Sequence, residues 1–334
     1  MLIRFKSGTE ESRIHEFKNR IQGLGHESFY EADSSCLAVP TLKTKELMLQ
    51  DKEVQMLESA EDPVEPYHLV SNRFRTRQNL DFGTHLFQKP DDFLIIAGPC
   101  SVETEEQMEL IASAVKQSGQ RFLRGGAYKP RTSPYSFQGL EDLGLKLIRE
   151  AADRHGLLVV SEIMDPRDLD QFLSFVDVIQ IGTRNMMNYR LLKEVGKSKK
   201  PVLLKRGMSA TLEEWLLSAE YIASEGNSNI ILCERGIRSF DASTRNVLDL
   251  ACIPRLKQMT WLPVIIDPSH GTGYSSLVPS MAMASLAAGA RGLLIEVHPD
   301  PKKALSDGQQ ALTIPQYLEL VPRLKAIQSV LYNT

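Results

Sequence analysis

From residue 93 to the end of the chain, short apolar runs alternate with longer stretches of helical periodicity. The runs are "FLIIAG", "RFLRGG", "LLVVSE", "DVIQIG", "PVLLKRG", "IILCERG", "PVIIDPSH" and "GLLIEVH". Near-continuous Val, Ile and Leu suit parallel strands covered on both faces, which need no alternation of apolar and polar positions. The stretches between them have readable starts. Thr104-x-x-Gln107 and Thr211-x-x-Glu214 carry the spacing of capping boxes, whose side chains satisfy the free amides of a helix start. Eight strand candidates, each followed by a helix candidate, fill about the 250 residues typical of a (β/α)8 TIM barrel. An open doubly wound sheet alternates in the same way, but no GxGxxG follows the first strand, so the closed barrel is the prediction.

Residues 1 to about 68 follow a different pattern. "LIRFK" reads as a strand and Glu10 to Leu24 as a helix. "ESFYEADSSCLAVP" reads as a hairpin, "TKELMLQDKE" as a second helix and "QMLES" as a last strand. That βαββαβ order is the ferredoxin-like α+β pattern common in small regulatory domains. The expected division is therefore a ferredoxin-like regulatory domain at 1–68, a linker with a barrel-capping hairpin in "LDFGTHLFQKPDDF" at 69–92, and a catalytic (β/α)8 barrel at 93–334.

Composition narrows the function. The chain has 334 residues, 42% hydrophobic and 24% charged, with a net charge of -3. Near-neutral charge argues against a nucleic-acid or membrane binder, so any cluster of cations must act locally. Cys36, Cys100, Cys233 and Cys252 are far apart and include no CxxC pair, which points to reduced thiols and a cytoplasmic protein. The N-terminus has no apolar leader, and no apolar run approaches membrane-spanning length.

In a barrel the chemistry gathers where the strands end. Those ends carry Cys100, Arg124, Glu162, Arg184, Lys205 with Arg206, Arg235, His270 and Glu296. One polar residue at a strand exit means little, because every strand must leave the core. A full ring of them, sorted by chemistry, means more. If the eighth strand pairs with the first, then Cys100, His270 and Glu296 converge on one side of the mouth, and Asp307 of "ALSDGQQ" can join them. Thiolate, imidazole and carboxylates together suit one divalent Mn, Fe, Co or Zn ion better than Mg or Ca. The cations are expected opposite, on the second, fourth, fifth and sixth strands. Arg124, Arg184, Lys205 and Arg235 would enclose a space reached by Lys129 and Arg131, with hydroxyls from Thr132 and Ser133. So many cations call for substrates bearing several negative charges, most simply two phosphorylated molecules. The tyrosines of the same loop allow an RNA-stacking reading, which the acidic balance disfavours.

The strings "IAGPCSVE", "LRGGAYKPRTSPYSFQGL", "IQIGTRNMMN", "PVLLKRG", "ILCERGIRSF", "DPSHGTG" and "EVHPDPKKALSDG" resemble the 3-deoxy-D-arabino-heptulosonate-7-phosphate (DAHP) synthases, in the short microbial form with an N-terminal ferredoxin-like domain. The resemblance implies condensation of phosphoenolpyruvate with erythrose 4-phosphate, the first step of the shikimate pathway. It implies that Cys100, His270, Glu296 and Asp307 hold the metal. Arg124, Lys129, Arg184, Lys205 and Arg235 would hold phosphoenolpyruvate, and Arg131, Thr132 and Ser133 the aldose phosphate. Catalytic roles would fall to Lys129, Cys100 and His270. It further implies a homotetramer and feedback inhibition by an aromatic amino acid at the N-terminal domain, where His26 and Ser28 are candidate contacts. Glu162 and Asp267 read either as orienters of the site or as ordinary strand-end charges. Many relatives continue "DPSHGTG" with basic residues, whereas here Tyr274 and Ser275 follow.

Three alternatives accompany this reading. The sister 3-deoxy-manno-octulosonate-8-phosphate synthases share the scaffold but typically carry an asparagine-containing loop in place of "KPRTS". A Schiff-base barrel aldolase would use Lys205 as its nucleophile. A non-catalytic sensor would be expected to have lost members of the ligand and cation sets, which are complete here.

Overall fold

The computed structural model describes residues 1–75, 80–81, 85–86, 92–129 and 133–332. It divides into two compact units, Met1–Gln78 with Lys257–Trp261, and Asn79–Leu256 with Leu262–Thr334.

In the first unit β1 (Leu2–Phe5), β2 (Phe29–Glu31), β3 (Cys36–Ala38) and β4 (Leu57–Glu61) make an antiparallel sheet in the order β2-β3-β1-β4. Helix Glu11–Gly23 buries Ile14, Phe17 and Ile21, spaced three and four apart, in a core with Ile3, Phe5, Leu37 and Leu57. Phe5 and Phe17 meet edge to face with ring centres 5.9 Å apart. The second helix expected over "TKELMLQDKE" does not form as one piece. A 3-10 turn at Thr44–Glu46 and a single helical turn at Asp51–Val54 take its place. Glu46 and Glu53 each fold back onto a main-chain amide three residues earlier, at Lys43 (3.1 Å) and Gln50 (2.7 Å), so two starts compete within one short stretch. Met48 between them is left exposed.

β5 (Leu80–Asp81) and β6 (His85–Leu86) pair antiparallel, with Leu80 opposite Leu86 and Asp81 opposite His85. Residues 82–84 and 87–91 of the expected hairpin lie outside the described residues.

The second unit is built on β7 (Leu94–Gly98), β8 (Phe122–Arg124), β9 (Leu158–Ile163), β10 (Val178–Ile181), β11 (Val202–Lys205), β12 (Ile230–Glu234), β13 (Val264–Ile266) and β14 (Gly292–Glu296). All neighbouring pairs are parallel, and β14 closes on β7 from Gly292 opposite Leu94 to Glu296 opposite Gly98. This is the closed eight-stranded barrel expected from the apolar runs. Nearly every strand residue is buried, because side chains fill the barrel interior and helices cover the outside. The capping box at Thr211 is complete: its hydroxyl accepts from Glu214 N at 3.1 Å, and Glu214 Oε2 accepts from Thr211 N at 2.8 Å. At Thr104 only half of it forms. Thr104 accepts from Gln107 N, while Gln107 Oε1 accepts from Glu103 N, one residue early.

Candidate active site at the C-terminal rim of the barrel

Ring closure brings four ligand-type side chains together. Cys100 follows β7, His270 sits in the helical turn Pro268–Thr272 after β13, Glu296 ends β14, and Asp307 lies on the loop beyond it. One ligand atom from each lies within 4.8 Å of all the others. Cys100 Sγ is 3.4 Å from Asp307 Oδ2, and His270 Nε2 is 3.4 Å from Glu296 Oε1 and 3.8 Å from Asp307 Oδ2. A thiol, an imidazole nitrogen and two carboxylates at this spacing fit a borderline transition metal.

Asp267 sets the histidine. Its Oδ1 accepts from His270 N at 2.9 Å, and its Oδ2 lies 2.7 Å from His270 Nδ1. The second contact holds the ring nitrogen that faces away from the cluster. It turns Nε2 toward Glu296. Burial by itself would raise the Asp267 carboxyl, but His270 and Lys205 outweigh it and hold the group well below the usual carboxylate range. Burial lowers His270, with Asp267 and Glu296 opposing, which favours the neutral ring that ligates metals. Burial, assisted by Glu296, pushes the Cys100 thiol up to about 11, and Lys129 works against it. Lys129 Nζ donates to Cys100 O at 2.8 Å and lies 3.2 Å from Cys100 Sγ. Gly126 makes this possible: a Cβ there would sit 2.8 Å from Cys100 O and 2.9 Å from Lys129 Nζ. The close approach at Gly126 thus serves the protein's own lysine.

Beside the cluster lies a cavity of about 370 Å³, lined by Lys129, Arg184, Lys205, Arg235 and Arg245, with Ser133, Ser136 and Glu162 among the remaining wall residues. Arg235 is only 5% exposed, and one of its guanidinium nitrogens, Nη1, is buried without a hydrogen-bond partner among the described residues. Burial lowers its pKa, with Asp267 partly offsetting. A buried cation left this way is costly unless an anion completes it. Lys205 Nζ donates to Asp267 Oδ2 at 2.8 Å. Glu162 accepts from Gln180 Nε2 at 2.8 Å and lines this cavity, whose wall also includes His270 and Asp307.

Several sequence expectations change here. Arg124 does not line the cation cavity; its Nη1 donates to Glu296 Oε1 at 2.6 Å. The reason is adjacency: β8 neighbours β7, so its end reaches the ligand side of the mouth. The expected separation of cations from ligands is therefore incomplete, with Arg124 and Lys129 both touching ligand residues. Arg206 leaves the mouth altogether, paired with Glu234 at 3.0 Å and Asp249 at 2.9 Å. Ser133 is at the cavity wall, whereas Arg131 and Thr132 lie outside the described residues. Tyr274 lines a second, open cavity of about 450 Å³ with Arg245, Asp307 and Gln310. Arg245 and Gln310 escaped the sequence reading because neither stands at a strand end. The one available signal was the long connection after β12, since extended loops on a barrel's catalytic face carry function.

A (β/α)8 barrel whose rim sets a thiol–imidazole–carboxylate cluster against a cationic cavity defines a class: barrel enzymes that act on phosphorylated acids and sugars. Residues 80–331 match the DAHP synthetase I family, and the chain belongs to it. It is 42% identical to a phospho-2-dehydro-3-deoxyheptonate aldolase of Thermotoga maritima, over 99% of this chain and 98% of the relative. A crystal structure of the Thermotoga maritima DAHP synthase, at 41% identity, aligns with a TM-score of 0.78 over 99% of this chain and 97% of that one. A 2-dehydro-3-deoxyphosphooctonate aldolase of Thioalkalivibrio sulfidiphilus is 31% identical over 71% of this chain and 90% of its own length.

Proposed function

We infer that the chain condenses phosphoenolpyruvate with erythrose 4-phosphate to give DAHP and inorganic phosphate, the entry reaction of the shikimate pathway. The observation that carries this reading is likeness to a heptonate aldolase over the whole chain, N-terminal unit included, whereas the octulosonate relative matches only 71% of it. The cationic cavity supports it, because both substrates are phosphorylated anions that repel each other. Carbon 3 of phosphoenolpyruvate attacks the aldehyde carbon, the new C–C bond forms, and carbon 2 is left with positive character. Water adds there and phosphate departs. Arg184, Lys205 and Arg235 hold phosphoenolpyruvate, and the unpartnered Arg235 nitrogen favours a phosphate or carboxylate at that wall. Lys129 stands between this cavity and Cys100, near the reacting ends of both substrates. Arg131, Thr132 and Ser133 receive the aldose phosphate. Arg124 completes the phosphoenolpyruvate set and also holds Glu296, its Nη1 donating to Oε1 at 2.6 Å.

Cys100, His270, Glu296 and Asp307 are the residues that would hold one divalent Mn, Fe, Co or Zn ion, which when bound supplies Lewis-acid polarisation of the aldehyde oxygen or organises the water. Asp267 keeps His270 Nε2 turned toward this cluster. Lys205 as a Schiff-base nucleophile is disfavoured, since its amine is engaged by Asp267 at 2.8 Å. A phosphate-release assay tests the whole reading. Phosphoenolpyruvate with erythrose 4-phosphate is expected to turn over at least about tenfold faster than with a five-carbon aldose phosphate; the reverse order would assign the sister reaction.

The reading extends to a cytoplasmic homotetramer inhibited by an aromatic amino acid at the N-terminal unit. All four cysteines are buried and free, as in a reducing compartment. Ser28 Oγ is buried without a partner among the described residues, which leaves a polar group for an effector, while His26 Nδ1 lies 2.9 Å from Thr41 Oγ1. Tyrosine or phenylalanine is expected to inhibit the full chain, and Ser28→Ala or His26→Ala to weaken that inhibition several-fold. Equal activity with and without either amino acid would remove the effector.

A further inference from the structure

We propose that Arg245 and Gln310 form a clamp that sets how tightly the divalent metal is held, by fixing the two carboxylate ligands Glu296 and Asp307. The proposal rests on the metal reading above and adds two residues to it.

Asp307 has a backbone φ of +52°, in the left-handed region that aspartate enters more readily than most residues. Arg245 Nη1 is 3.3 Å from Asp307 Oδ2 and also donates to Gln310 Oε1 at 2.6 Å. Gln310 is 2% exposed and passes the constraint on, its Nε2 donating to Glu296 Oε2 at 2.7 Å. The amide can face only this way, because a guanidinium only donates and a carboxylate only accepts. One guanidinium nitrogen thus grips one ligand directly and the other through a single amide.

Both oxygens of Glu296 are held: Oε2 accepts from Gln310 Nε2 at 2.7 Å, and Oε1 accepts from Arg124 Nη1 at 2.6 Å and lies 3.4 Å from His270 Nε2. The third ligand is tied in through the main chain: Arg245 N donates to Thr272 O at 3.0 Å, Asn246 N to Gly271 O at 3.1 Å, and Asn246 Nδ2 to His270 O at 3.0 Å. The segment carrying Arg245 is therefore zipped onto the turn that carries His270. Outer partners of this kind commonly change metal affinity by about 10–100-fold when removed.

Arg245 is 38% exposed at its side chain and borders the anion cavity, so the rival role is holding substrate. Titration of the full-length, metal-stripped protein with Co2+ separates the two, followed by calorimetry and by the thiolate-to-cobalt absorption band of Cys100. Arg245→Met and Gln310→Met are each expected to weaken Co2+ binding about 10–100-fold and to alter that band, and Arg245→Lys, which keeps a donor, to recover most of the loss. Wild-type Co2+ affinity in both methionine variants overturns the clamp. Weakened phosphoenolpyruvate binding with intact Co2+ binding assigns Arg245 to substrate instead. Failure of the wild type itself to bind Co2+ overturns the metal reading, a distinct result. Should Arg245→Met not fold, Gln310→Met, which leaves the Asp307 ion pair in place, decides alone.

Discussion

Lys129→Met is expected to lower phosphate release by about 100- to 1,000-fold while leaving the barrel folded. The magnitude is that of losing one preorganised electrostatic donor, about 2.7–4 kcal/mol. The position explains why the effect should be specific. Lys129 is half-buried on a loop beyond β8, so its removal opens no hole in the apolar core. Its ammonium is held by Cys100 O at 2.8 Å and stands 3.2 Å from Cys100 Sγ at the edge of the anion cavity. It therefore faces both the ligand cluster and the space where two mutually repelling anions must meet. Positioning two such reactants is the kind of task that contributes about 7–11 kcal/mol in favourable cases, and the proposed role of Lys129 is to share in it. Methionine keeps the length and loses the charge. Circular dichroism and thermal unfolding should match the wild type; turnover within about tenfold of it would remove Lys129 from the reaction.

The second large effect concerns the ligand cluster. Exhaustive treatment with a chelator is expected to abolish turnover, by about three orders of magnitude or more given the several kcal/mol a Lewis acid supplies, and Mn2+ to restore it. Cys100→Ala should not be restored at the same Mn2+ concentration. The thiol explains the expected pH behaviour as well. With burial pushing Cys100 up to about 11, metal binding must displace its proton at neutral pH. Loading then releases a proton, so affinity is expected to rise as pH rises and fall as pH falls. Chelator-resistant activity, together with Cys100→Ala at wild-type rate, would mean that the four clustered side chains serve some other purpose.

The sequence exposed the barrel because its signals are local. Each apolar run is a few residues long, and its burial on both faces does not depend on which strand lies beside it. The cluster was legible one step further on, from closure alone: once β14 pairs with β7, the ends of β13, β14 and β7 share one side of the mouth. The residues that went astray did so for identifiable reasons. "TKELMLQDKE" has helical spacing, but two glutamates each cap a separate turn and split it. Arg124 was assigned to the cavity by residue type, and it is the neighbouring strand that turns it onto Glu296, 172 residues away in sequence.

By itself, then, the order of amino acids determined the four strands and first helix of the N-terminal unit, the eight-stranded barrel, and which side chains stand at the strand ends, since those depend on hydrophobic periodicity and chain direction. Only the tertiary structure decided which cations face the cavity and which face the ligands, that Lys129 folds back across Gly126, and that Arg245 reaches Gln310, 65 residues on. Those pairings arise from strand adjacency, loop path and rotamer choice at the rim, where residues remote in sequence compete for the same partners and no short-range pattern records the outcome.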